Sequence, residues 1–131
     1  MRMERETVIL VVDDDKSILE SLKLILQAEG YIVDTAETGA QAMEKSRNRY
    51  YNLALLDIRL PDMQGTELLT RMDMGVPRTR AIMITGYPSL DSTVESLNLG
   101  ADGYLIKPIE PEKLLKIIEE KLKEQEEERR K

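Results

Sequence analysis

Residues 8–12, Val-Ile-Leu-Val-Val, form an unbroken apolar run, mostly β-branched, that stops at three aspartates, Asp13, Asp14 and Asp15. A strand that shows one face to water alternates polar and apolar residues. A strand without that alternation suits burial on both faces, as in the middle of a parallel sheet covered by helices. Such a strand needs helical connections on either side of it. The rest of the chain supplies them, because strand-like and helix-like patterns alternate five times. Ile18, Leu22, Ile25 and Leu26 form a helical stripe closed by Gly30. Residues 31–36 read as a weaker edge strand, and 39–48 as a short helix. Leu53–Leu56 is a strand stopping at Asp57, and Pro61 and Gly65 bracket a loop before a helix marked by Leu68, Leu69 and Met72. Ala81–Ile84 is a strand stopping at Thr85, followed by a helix stripe of Leu90, Val94 and Leu97 that Gly100 closes. Tyr104–Ile106 is the last strand, stopping at Lys107-Pro108, and Leu115, Ile118 and Leu122 mark the last helix. The expected fold is α/β, a doubly wound parallel sheet of five βα units.

Ligands of such sheets sit outside the carboxyl ends of the strands. Here those ends carry Asp13 and Asp14, Asp57, Thr85 and Lys107. Carboxylates at adjacent strand ends repel: two unit charges about 5 Å apart cost about 3 kcal/mol at an effective dielectric near 20. An all-oxygen acidic cluster calls for a hard divalent cation, and Mg²⁺ is the usual one beside phosphate. With an amine and a hydroxyl added, the set reads as a phosphoryl-accepting site with a carboxylate nucleophile.

Composition removes most alternatives. The 131 residues contain no Cys and no His, which excludes disulfides, thiolate nucleophiles, Ser-His pairs and a phosphohistidine on this chain. Net charge is −6, against the basic surface that nucleic-acid binding requires. Phe and Trp are absent, so the core is aliphatic, with Met63, Met72, Met74 and Met83 as filler. No apolar run is long enough for a membrane span, and the N-terminus MRMERETVIL lacks a signal-peptide core, so the expected location is cytoplasmic. A dinucleotide or P-loop protein is excluded, because aspartates stand where a phosphate-binding turn needs glycine.

The stretches VILVVDDDKSIL, LALLDIRLPDMQG, IMITGYPS and GADGYLIKPI, in this order over roughly residues 6–122, resemble the receiver domain of two-component response regulators, CheY-like proteins. The resemblance implies a flavodoxin-like (βα)5 fold with strand order 2-1-3-4-5. It implies Asp57 as phosphoacceptor, and Mg²⁺ held by Asp13, Asp14, Asp57 and the backbone carbonyl of Arg59. It implies Thr85 and Lys107 as groups that contact the phosphoryl group, and Tyr104 as the aromatic that turns from solvent as Thr85 moves inward. It implies that Pro108 follows Lys107 through a cis peptide. Positions Arg59 and Tyr87 match those that tune dephosphorylation in the family. The implied donor is a histidine kinase or phosphotransfer protein. The implied output face is residues 89–99, 103–106 and 111–122, open to a partner or a homodimer, with no direct nucleic-acid or membrane binding.

Other residues have plainer readings. Asp15 caps the helix starting at Lys16. Asp62 serves the turn after Pro61, and Tyr87 is a loop-surface residue. Residues 1–122 are expected to form the receiver. Residues 119–131 hold six acids, five bases and one aliphatic, so 123–131 reads as a charged helix extension that frays, or as a linker stub. No output segment is expected within this length, so the chain is a stand-alone regulator or a receiver from a longer one. Two other functions compete. A pseudo-receiver interaction module would usually lack one of the acids, the Thr or the Lys. A haloacid-dehalogenase-like phosphatase could use Asp13 in the DxDx[ST] pattern of Asp13–Ser17, but no later acidic pair follows Lys107 and Asp57 is then left unexplained.

Overall fold

The computed structural model describes residues 6–131; residues 1–5, which the sequence reading includes in the domain and in the N-terminal stretch, lie outside the described residues. The chain order is β1 (Val8–Val12), α1 (Lys16–Ala28), β2 (Ile32–Ala36), α2 (Gly39–Asn48), β3 (Leu53–Asp57), α3 (Gly65–Arg71), β4 (Arg80–Thr85), α4 (Leu90–Asn98), β5 (Gly103–Ile106) and α5 (Pro111–Arg129). All neighbouring strands pair in parallel, in the order β2-β1-β3-β4-β5. This is the flavodoxin-like arrangement.

Period-two alternation divides the central strands between two cores. Leu10, Val12, Ala54, Leu56, Ala81 and Met83 face one side, where Ala42 of α2, Leu68 and Leu69 of α3, and Met72 close over them. Ile9, Val11, Leu53, Leu55, Ile82 and Ile84 face the other, under Leu19, Leu22 and Leu26 of α1 and Leu114 and Ile118 of α5. Met72 and Met83 are buried, and Met63 and Met74 pack against the first cluster, as filler should. The register aligns Val12 with Leu56, Asp57 with Ile84 and Thr85 with Ile106. Asp13, one step past Val12, therefore emerges beside Asp57, and Lys107 emerges one step past Ile106. The direction of winding reverses between β1 and β3, so the acids lie at the switch point of the sheet.

Two elements differ from expectation. The α4 stripe is not a core face: Leu90 is 78% exposed and Leu97 53%. Instead α4 buries Ser96, whose hydroxyl donates to Ser92 O at 2.8 Å. The small residue is on the inner side of the helix, and the longer apolar residues are left on the outside. Second, the charged end, read from sequence as lacking anything to bury, is packed: α5 is helical to Arg129. Gln125 is buried; its Nε2 donates to Asn52 O at 2.8 Å and Arg78 O at 3.0 Å. Arg80, also buried, pairs with Glu128 at 3.2 Å. Polar groups thus fasten the charged extension to backbone carbonyls just before β3 and β4, a contact that a search for apolar stripes overlooks. Among the described residues no helix is long and apolar enough to cross a membrane.

Candidate functional site

Four of the residues named from sequence converge at the carboxyl end of the sheet. One carboxylate oxygen from each of Asp13, Asp14 and Asp57 lies within 4.8 Å of the other two. Asp13 is 1% exposed and Asp57 6%, while Asp14 is open to solvent. The Lys107 ammonium reaches in from the end of β5, 2.9 Å from Asp13 Oδ2 and 3.3 Å from Asp57 Oδ2. The Lys107–Pro108 peptide is cis.

The backbone holds the carboxylates in place. Asp15 N donates to Asp13 Oδ1 at 2.9 Å, and Arg59 N to Asp57 Oδ1 at 3.3 Å. Asp15 itself accepts from Ser17 N at 2.9 Å and Ile18 N at 3.4 Å, which caps α1 and holds its carboxyl below the usual range, chiefly through the Ser17 hydroxyl. Burial, and then the charge of Asp13, push the Asp57 carboxyl above its ordinary value against the pull of Lys107. Burial would lower Lys107, but its contact with Asp13 and the charges of Asp13 and Asp57 outweigh that and raise it.

The donor set fits a hard divalent cation. Three carboxylates against one ammonium leave two negative charges in a partly buried space. Asp13 Oδ2 is buried and receives no aligned hydrogen bond among the described residues, although Lys107 stands beside it. A buried carboxylate oxygen in that condition has lone pairs left for a metal ion.

The side chains of Thr85, Arg59 and Tyr104 make their contacts outside the acidic cluster. Thr85 is 2% exposed, and its hydroxyl accepts from Tyr87 N at 3.0 Å. The Arg59 guanidinium lies 4.4 Å from the centre of the Tyr87 ring, so the loops after β3 and β4 are joined by a cation–π contact. Tyr87 does lie in an exposed loop, as its plain reading has it, but it is not a lone surface residue. Tyr104 does not point to solvent as expected. It is half-buried against the core, with its hydroxyl 3.0 Å from Ser92 Oγ in α4.

Asp62 also has a partner that the sequence reading did not provide. From the turn after Pro61 it accepts from Gly39 N at 2.8 Å and Ala40 N at 2.9 Å, at the start of α2. Nothing in the sequence pattern signals a contact between residues so far apart.

Known proteins resemble this chain over most of its length. It is 42% identical over 114 residues to the transcriptional regulatory protein ZraR of Klebsiella oxytoca, covering 87% of this chain and 26% of that protein. The chain thus spans about a quarter of the length of that curated relative. The crystal structure of a CheY-like response regulator receiver domain protein from Methanospirillum hungatei JF-1 superposes with a TM-score of 0.90 at 52% identity, over 95% of this chain and 99% of that one. A response regulator from Burkholderia pseudomallei, crystallised with a phosphorylated aspartic acid, a calcium ion and citrate, superposes with a TM-score of 0.77 at 27% identity, over 84% of this chain and 65% of that one. Residues 9–119 match the response regulator receiver domain, and the chain belongs to that family.

Proposed function

We propose that this receiver is a phosphoacceptor switch, with Asp57 taking a phosphoryl group from a histidine kinase or phosphotransfer protein. The observation that carries the reading is the placement of the buried Asp57 carboxylate within reach of two further acids and 3.3 Å from a lysine ammonium. The phosphorylated aspartic acid and calcium ion of the Burkholderia relative are in keeping with it.

Asp13, Asp14 and Asp57, with the backbone carbonyl of Arg59, would hold Mg²⁺. When bound, the ion supplies charge stabilisation for the phosphoryl oxygens. An Asp57 oxygen attacks phosphorus, and the bond from phosphorus to the donor breaks, with its electron pair leaving on the donor. Lys107 faces the oxygens that gain charge in this step. Thr85 exchanges its contact with the Tyr87 amide for one with the new phosphoryl oxygens, and Tyr104 follows by giving up Ser92. The phosphoryl group remains on the chain, so no external substrate is turned over. This distinguishes the reading from a phosphatase acting through Asp13, and the intact acid, hydroxyl and amine set distinguishes it from a pseudo-receiver.

The signal leaves through α4, β5 and α5, where Leu90, Val94, Leu97 and Ile106 are exposed. It passes to a second copy or to an output segment beyond the receiver, with no nucleic-acid or membrane contact by the receiver itself. In this reading residues 1–122 are the receiver, 123–131 its charged continuation, and the setting is the cytoplasm. The test is transfer from a phosphohistidine donor. Wild type should drain the donor in Mg²⁺ and stop at one phosphoryl group per chain. Failure to accept any, or continuous release of phosphate with Asp57→Asn, would overturn the reading.

A further inference from the structure

The first three amides of α2 point out of the helix and need partners. Gln41 N finds one locally, donating to the Thr38 hydroxyl at 3.1 Å. Gly39 N and Ala40 N donate instead to the two oxygens of Asp62, at 2.8 and 2.9 Å. The carboxylate thus caps a helix 22 and 23 residues earlier in the chain, and its charge faces the positive end of the helix dipole. These amide bonds hold the Asp62 carboxyl below its usual range. The adjoining Met63 presses on the same helix turn so closely that a Cβ on Gly39 would come 2.4 Å from Met63 Sδ. Two independent contacts therefore fix the tip of the loop between β3 and α3 onto the start of α2.

The base of that loop is fixed as well. Gly65 N donates to Ile58 O at 2.6 Å, Arg59 pairs with Gln64 in an antiparallel bridge, and Leu60 N donates to Met63 O at 3.2 Å. A Cβ at Gly65 would come 2.1 Å from Asp57 O, so the loop returns directly against the backbone of Asp57. Arg59 belongs to this base, three residues before the tip that Asp62 fixes. It is the residue whose backbone is proposed to complete the metal site.

We propose that Asp62 is a positioning residue for the phosphoryl site, clamping the 58–65 loop onto the start of α2 so that the Arg59 backbone is set for the metal. This rests on the phosphoacceptor reading above. Asp62 touches neither metal nor phosphoryl group in this account and acts through the loop alone. Groups that orient metal ligands from behind typically cost about tenfold or more in affinity when removed.

The experiment measures Mg²⁺ binding by titration for wild type, Asp14→Ala, Asp62→Ala and Asp62→Asn, with amide NMR spectra of each. Asp62→Ala should bind Mg²⁺ about tenfold more weakly, with the Gly39, Ala40 and Arg59 amide signals shifted and the rest of the spectrum in place. Asparagine keeps an acceptor oxygen on one amide, so Asp62→Asn should recover part of the affinity. Wild-type affinity in Asp62→Ala, alongside weakened binding in Asp14→Ala, would overturn the clamp and leave the metal site standing. So would equal loss in Asp62→Ala and Asp62→Asn, which is a charge effect without positioning. No Mg²⁺ binding in wild type would instead sink the phosphoacceptor reading. Should Asp62→Ala fail to fold, the comparison of Asp62→Asn with wild type carries the test alone, and unchanged affinity together with unchanged Gly39 and Ala40 signals overturns the proposal.

Discussion

Lys107 is the one cation within ion-pair distance of both buried acids of the centre among the described residues, 2.9 Å from Asp13 and 3.3 Å from Asp57. Without it, two buried carboxylates would face each other uncompensated. Lys107→Ala should lower stability without metal by roughly 1–3 kcal/mol, and a divalent cation should restore more stability to it than to wild type. Asp14→Ala has the opposite sign: one like charge fewer, so less repulsion without metal and a smaller gain on adding Mg²⁺. Thermal melts with and without Mg²⁺ check both. Equal gains in all three proteins would contradict the charge account. Asp62 gives a pH test. Its folded-state value is below the ordinary 3.8, so its contribution is present above that value and is lost as pH falls through the lower folded-state value. The stability difference between wild type and Asp62→Asn should therefore close in acid, below the ordinary carboxylate range; a difference that widens as the pH falls would contradict the ionic cap. Asp13, Asp57 and Lys107 were legible because each ends an apolar run, and strand ends in a parallel sheet meet by construction. The partner of Asp62 was not legible, because no local pattern encodes a loop reaching a helix on another βα unit.

At the scale of elements, α4 and α5 show what periodicity conveys and what it omits. The spacing of Leu90, Val94 and Leu97 correctly marks a helix. It does not say which side meets the sheet, and the side taken is that of Ser96. Likewise the charged end of α5 offers no apolar stripe, yet Gln125 fastens it by two donated hydrogen bonds. Gln125→Ala would remove the second donor to Asn52 O and to Arg78 O, which keep the Arg80 amide and guanidinium, at a cost of about 1 kcal/mol. A urea midpoint equal to wild type would show that this end of α5 is idle. In the proposed switch, the signal passes from Thr85 at the end of β4 to Tyr104 in β5. Thr85→Ala should still accept a phosphoryl group but should lose the response of α4. Beryllofluoride, standing in for the phosphoryl group, should shift the amide signals of α4 and β5 in wild type and leave them nearly unmoved in Thr85→Ala. A full wild-type shift pattern in the variant would remove Thr85 from the switch.

For the whole molecule, the central fact is that the site and the exposed apolar face share one element, β5. β5 runs into Lys107, and the same β5 exposes Ile106 and touches α4 through Tyr104 and Ser92. A phosphoryl group can shift the shape of that face only by contacts that differ between the two states, so a partner that prefers the phosphorylated shape must also tighten phosphorylation by the same factor. All of this depends on which residue takes the group. The most direct measurement treats the chain with acetyl phosphate in Mg²⁺, reduces the acyl phosphate with borohydride, and maps the resulting alcohol by peptide mass spectrometry. The account predicts the mark at Asp57 alone, and its loss when Mg²⁺ is withheld. A mark at Asp13 or Asp14, or an equal mark without the metal, would contradict it.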